Sequence, residues 1–345
     1  MRTLLPLWFF ACSAPPEPVG GPPRLQLPVD CTLGDTCWWI NRPDVAPDAA
    51  VYDHGGRDHT WDGNDGSDLA LAHLGAAASF HARATADGVV KEVVEDAVDG
   101  VALTAGRGAV AADPCGNRVV IDHGGGWLTT TCHLGWRSVT VEPGAAVRAG
   151  DPLGAVGWSG LAELAHLRLI VSHDGVAVDP FTGRPHTQAP DVHADPPAPL
   201  WTEPAPMPGE TLPLAVVGFA PAPWSEAWSY GAGTPVLPQE AASTGFVMFA
   251  VLWRPEAGDV IRSILRGPDG AEQTASHKIT KAQLRKVVLV PQLREGASAW
   301  TGVWTAEISV DRAGRTQTRR AVLAVPPDGW QGPSGGDADR APKKP

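Results

Sequence analysis

From residue 30 to residue 186 the chain is cut every few positions by Gly, Asp or Pro, with only short Val, Ile and Leu runs between the cuts. Gly and Pro both break helices, so this spacing reads as short strands joined by tight turns. One hairpin is legible directly. Arg118-Val-Val-Ile-Asp-His123 and Trp127-Leu-Thr-Thr-Thr-Cys-His133-Leu flank Gly124-Gly-Gly126, a turn whose residues tolerate positive φ. Cys115 and Cys132 lie nearly symmetrically about that turn and can face each other across the two strands.

The 345 residues are enough for two domains, and 43% hydrophobic content supports a sizeable core. A formal net charge of −11 argues against a nucleic-acid partner and against attraction to anionic membranes. Residues 1–12 carry one positive charge, a short apolar run and Phe-Phe-Ala-Cys12, an export signal with a loose lipoprotein box. Lipidation of Cys12 would anchor an exported, envelope-located protein facing the periplasm; plain secretion is the alternative. Residues 13–29 read as a Pro/Gly tether, 30–186 as a β-rich domain and 187–208 as a Pro-rich linker. Residues 209–326 hold strand-like runs at Leu214–Phe219, Phe246–Trp253, Val260–Leu265, Val287–Pro291, Val303–Val310 and Ala321–Val325. Their spacing suggests an immunoglobulin-like sandwich, followed by a disordered tail over 327–345. The fold expected is therefore all-β.

In an exported chain the even set Cys31, Cys37, Cys115 and Cys132 favours disulfides over thiol chemistry. Cys31 and Cys37 are close enough in sequence to close a small loop, though nothing compels that pairing. No Cys-x-x-Cys is present, which disfavours a Cys-based zinc site.

Four segments, in order, carry a family resemblance. They are Trp61-Asp-Gly-Asn-Asp-Gly-Ser-Asp68; Ala86-Asp-Gly-Val-Val-Lys; Cys115 through Cys132-His133-Leu; and Pro143-Gly-Ala-Ala-Val-Arg-Ala-Gly through Trp158-Ser-Gly160, His166-Leu-Arg-Leu169 and Val178-Asp-Pro-Phe181. Over about residues 30–186 the chain resembles the lysostaphin/LytM-type zinc endopeptidases, also called Duplicated-Hybrid-Motif peptidases. The resemblance implies a LytM-like β-barrel or sandwich with a groove, and zinc-assisted hydrolysis of peptidoglycan cross-bridges. It implies ligands from His-x-x-x-Asp and the second His of His-x-His, with two further histidines as base and transition-state stabiliser.

Position by position, the sequence keeps Asp68, His133 and His166. Asn64 stands at the first ligand position and Arg168 at the third. A neutral amide is a poor zinc ligand, and a guanidinium is a permanent cation with no lone pair to give. The reading is thus a zinc-less pseudoenzyme with vestigial His133 and His166, no cofactor, and an Asp68–Arg168 ion pair filling the metal hole. Its partner would be a peptidoglycan peptide or an envelope protein.

Two alternatives remain. In the first, His54-Gly-Gly-Arg-Asp58 supplies a rival His-x-x-x-Asp, and His54, Asp58, His59 or His73 recruits zinc with His133 or His166 for an active metalloendopeptidase. Against it, the spacing from Asp58 to the next motif is too long and Arg168 still blocks the third position. His54, His59 and His73 then read as loop histidines at the groove rim. In the second, the sandwich and tether make a structural or adhesion protein of the envelope. His81, His123 and His173 read as surface or turn residues, and Trp158 as the tryptophan best placed for ligand contact.

Overall fold

The computed structural model describes residues 21–46, 49–72, 79–186, 198–203, 210–221, 246–292 and 301–325. Cys12, His73, residues 13–20 of the tether, most of the linker and the tail from 327 lie outside the described residues.

Among the described residues the first sheet has nine strands, with one path through β1 (Cys37–Asn41), β2 (Ser67–Leu71), β9 (His166–His173), β6 (Trp127–Cys132), β5 (Arg118–Gly124), β4 (Gly88–Val94) and β7 (Ala146–Val147). The short pair β10 (Val176–Asp179) and β11 (Arg184–Pro185) hangs on β9, and β3 (His81–Arg83) pairs separately with β8 (Pro152–Ala155). All of these pairings are antiparallel. β5 and β6 form the hairpin read from the sequence, and Cys115–Cys132 closes its open end with Cα atoms 5.0 Å apart. A second disulfide, Cys31–Cys37, has its Cα atoms 6.0 Å apart.

Residues expected to be tether and linker contribute to this core. Leu25 is fully buried and bridges to Trp201, while Val29, Leu200 and Trp201 pack with Trp39 and Phe181. Apolar side chains two apart, Leu25, Leu27 and Val29, give this Pro-rich stretch one face to bury, which composition alone concealed.

The second half is an immunoglobulin-like β-sandwich. A three-stranded sheet, β12 (Leu214–Pro221), β13 (Phe246–Trp253) and β16 (Arg285–Gln292), faces a four-stranded one of β15 (Glu272–Lys278), β14 (Val260–Arg266), β17 (Gly302–Arg312) and β18 (Arg315–Val325). β15 has no apolar alternation and is exposed throughout, so only its pairing with β14 reveals it.

β13 reads Phe-Val-Met-Phe-Ala-Val-Leu-Trp, apolar at every position, because both its faces are covered. Phe246, Met248, Ala250 and Leu252 point into the sandwich. Phe249, Val251 and Trp253 point the other way, onto Trp38, Ile40 and Ala70 of the first domain. β1 mirrors this arrangement, with Cys37 and Trp39 in its own core and Trp38 and Ile40 against the sandwich. The Trp253 indole donates to the Leu71 carbonyl at 3.0 Å, and the Trp38 indole to that of Leu212 at 3.0 Å.

Candidate functional site

Strand register builds the site. Asp68 on β2 lies directly opposite Arg168 on β9, and Arg168 lies opposite Cys132 on β6, the residue before His133. His166 sits two residues before Arg168, on the same face of β9. Three neighbouring strands therefore bring together the residues that the sequence motifs hold far apart.

Arg168 occupies the centre. Its Nη1 donates to Asp68 Oδ1 at 3.1 Å, and its Nη2 donates to Asn64 Oδ1 at 2.6 Å and Asp65 Oδ1 at 2.5 Å. The guanidinium also lies 5.0 Å from the centre of the Trp61 ring. Gly66 makes room for this: a Cβ there would stand 3.0 Å from Arg168 Cζ and Nε. Asp65 and Trp61 are partly exposed, so the outer edge of the cluster opens to solvent.

Asn64 is fully buried and its hydrogen bonds are all used. Its Nδ2 donates to the Arg42 carbonyl and Thr60 Oγ1, while its Oδ1 accepts from Gly66 N and Arg168. Asp68 is equally committed, with Oδ1 on Arg168 and Oδ2 accepting from Asn41 Nδ2 at 2.8 Å. Burial alone would raise the Asp68 carboxyl, but the Arg168 guanidinium, helped by the Asn41 amide, holds it below the usual carboxylate range.

His133 follows β6 in a left-handed conformation, φ 64°. Its Nδ1 donates to the Ser159 carbonyl at 2.8 Å, and His166 Nδ1 donates to the Leu164 carbonyl at 2.9 Å. These carbonyls fix the tautomer, so each ring presents Nε2 as an acceptor. The rings lie 4.5 Å apart. Burial, then His166, pushes His133 down to about 3, with Arg168 adding to the shift and Asp68 opposing it.

The Ser159 loop is itself locked. Ser159 Oγ donates to the Leu134 carbonyl at 2.7 Å and accepts from Asn117 N at 3.0 Å. Gly160 packs so closely on Pro114 and Gly116 that a Cβ would lie 2.5 Å from the Pro114 carbonyl. Asp99 accepts from both Trp136 N and Trp158 N, at 2.9 Å each, tying together the two loops that carry these tryptophans. Of the pair Trp136 is the more exposed, at 51%.

Of the rival histidines, His54 and His59 are buried away from Arg168 rather than exposed at a rim, and His73 lies outside the described residues. The His54 side chain is buried, with Nδ1 2.8 Å from Asp179 Oδ2, beside Arg42 Nη2 at 2.5 Å from the same oxygen. Asp179 belongs to the Val-Asp-Pro motif, and a fully buried carboxylate needs such partners. His59 is also buried, and burial, then Arg254, lowers it to about 4. Asp58 is exposed and uses its carbonyl to accept from Arg254. His123 is buried as well, between the Asp87 carbonyl and Thr129 Oγ1, because the bulge at Asp122/Gly124 turns it inward. His81 is exposed, and His173 is half-buried and stacked on Trp127.

Residues 64–180 match the model of peptidase family M23. The chain carries a peptidase M23 domain. Similar solved structures include the SpoIIQ–SpoIIIAH pore-forming complex, at 20% identity over 48% of this chain and 94% of that one, with a TM-score of 0.33. A variant catalytic domain of the prophage-encoded M23 protein EnpA from Enterococcus faecalis shares 18% identity over 40% of this chain and 82% of that one (TM-score 0.27). The catalytic domain of lysostaphin from Staphylococcus simulans shares 17% over 42% and 87% (TM-score 0.27). No curated protein matches.

M23 domains usually hold zinc. In this M23 domain the residues present do not fit it. Asn64 has no lone pair to spare, both Asp68 oxygens are engaged, and a cation stands where the third ligand would be. Among the described residues no group of three or more His, Cys, Asp or Glu side chains is placed to hold a metal ion. Asn41 and Asp65 were missed from the sequence; Asp65 sits inside the motif itself, but Asn41 carries no motif signal.

Proposed function

We propose that this protein is an exported, envelope-located M23 homologue whose groove binds without hydrolysing. Its ligand would be a peptidoglycan peptide or an envelope protein, and its role that of a wall-binding or regulatory module. A lipid on Cys12 would hold it at the membrane. The observation that carries this reading is the commitment of Arg168 to Asp68, Asn64 and Asp65, which places a fixed positive charge where hydrolysis needs a metal. Beside this cluster a part-exposed Trp61 and the Asp65 carboxylate leave an outer edge suited to apolar groups and hydrogen-bond donors of a ligand.

The test uses the full chain, purified and incubated with isolated sacculi. Co-sedimentation with no release of cross-bridge fragments, and less than stoichiometric zinc by elemental analysis, is the expected result. Arg168→His alone should stay inactive, because Asn64 leaves the ligand set one short. Arg168→His with Asn64→His supplies the missing donors and is expected to raise zinc uptake. Chelator-sensitive cleavage by the unmodified chain would overturn the proposal.

A further inference from the structure

Among the described residues, Arg254 is a buried cation with no carboxylate in hydrogen-bond contact. It follows β13, is 7% exposed, and takes a left-handed φ of 49°. Its guanidinium crosses into the M23 domain and donates to the Ile40 carbonyl, the Asp58 carbonyl at 3.1 Å and Asn41 Oδ1. All three acceptors are neutral oxygens. A buried charge with no carboxylate in contact is costly, and burial lowers even the arginine pKa, to about 10, against the opposing fields of Asp58, Asp68 and Asp53. The strained backbone adds to that cost.

Of these three carboxylates, Asp68 is the one reached through a buried hydrogen-bonded side chain. Asn41 accepts from Arg254 through Oδ1 and donates through Nδ2 to Asp68 Oδ2 at 2.8 Å. The amide can face only this way, since a flip would set NH2 against the guanidinium and oxygen against the carboxylate. Asp68 then meets Arg168, and Arg168 meets Asp65 and the Trp61 ring at the solvent edge. A continuous polar chain thus runs from the domain interface to the solvent-facing edge of the Arg168 cluster, with one arginine from each domain and the Asp68 carboxylate between them.

We infer that Arg254 is a positioning residue for the groove: through Asn41 it fixes Asp68, and with it Arg168, so that the state of the groove and the docking of the sandwich are coupled. Its functional meaning rests on the groove being a binding site. A ligand that draws Arg168 away from Asp65, or stacks on Trp61, alters the partner of Asp68 and is felt at the interface.

A double-mutant cycle on the full chain tests this without any ligand. Arg168→Met and Arg254→Met share no hydrogen-bond partner, so a purely local role for each predicts additive losses. The relay predicts that the double mutant's unfolding constant departs from the product of the single effects by roughly tenfold. Arg254→Met paired with Arg320→Met, whose partner Glu307 is on the far hairpin, should be additive. Additivity in the first pair overturns the inference. If Arg254→Met does not fold, Asn41→Leu removes the relay and keeps both arginines. Hydrogen exchange of the Arg168 guanidinium, followed by nitrogen-15 NMR, should then quicken by about tenfold or more; an unchanged rate overturns the inference as well. Asn41 is 4% exposed and cannot touch a ligand, yet Asn41→Leu should weaken sedimentation with sacculi several-fold. Sacculi that never bind the unmodified chain would defeat the wall-binding reading while leaving the ligand-free coupling standing. Additive cycles with intact sacculus binding would do the reverse.

Discussion

His133 packs beside a second imidazole and within the field of Arg168, in a site nearly closed to water. Its pKa falls from 6.5 to about 3, burial being the largest cause. Between those values the unfolded chain binds a proton that the folded protein does not, so stability declines as the pH drops through that window. His59, lowered to about 4, adds to the same slope. Asp68 adds to it only at lower pH, since its folded pKa lies beneath the ordinary 3.8. Urea midpoints should therefore fall between pH 6.5 and 4, by an amount on the order of a few kcal/mol in stability. His133→Asn suits the left-handed φ and can still donate to Ser159, and it should flatten that slope. An unchanged slope in the variant would show that His133 titrates normally. At this scale the sequence was legible wherever a motif spacing fixed a strand register: Asp68 and Arg168 each belong to a motif, and neighbouring strands set them opposite. Asn41 and Arg254 were not legible, because each matters only through a contact between segments 213 positions apart.

The β5–β6 hairpin delivers His133 to the site, and the Cys115–Cys132 bond closes the hairpin on the side where His133 emerges. The His133 amide also donates to the Cys115 carbonyl at 3.0 Å, so the two ends of the hairpin hold the same residue. Replacing both cysteines by alanine should lower stability by about 3 kcal/mol, the chain-entropy value for a loop of this size. Calorimetry measures the loss, and a variant as stable as the parent would mean the hairpin closes without its bridge. The turn chemistry and symmetric cysteines made this element readable in advance. β15 was unreadable for the opposite reason: Glu-Gln-Thr-Ala-Ser-His-Lys has no buried face to impose a period of two.

The two domains share a third apolar cluster, made from the outer faces of β1 and β13. Exposing Trp38 and Ile40, which are 1% and 2% exposed here, would forfeit about 2 kcal/mol of burial for each. A chain ending at residue 203 should therefore be insoluble or bind hydrophobic dyes, as measured by solubility and dye fluorescence. A soluble, cooperatively folding fragment would show that the M23 domain stands alone. Continuous apolar runs such as Phe246–Trp253 announce strands covered on both sides, but they do not name what covers them. This joint also dictates an order of events during biosynthesis. The backbone of Ile40 is met by a side chain 214 positions later, so the first strand made cannot finish its packing until most of the protein has emerged. Contacts of such long range close slowly, and the half-built chain carries a sticky tryptophan face in the meantime. Maturation of this protein is therefore a race between late closure and premature association, in which a holding chaperone has a defined patch to shield.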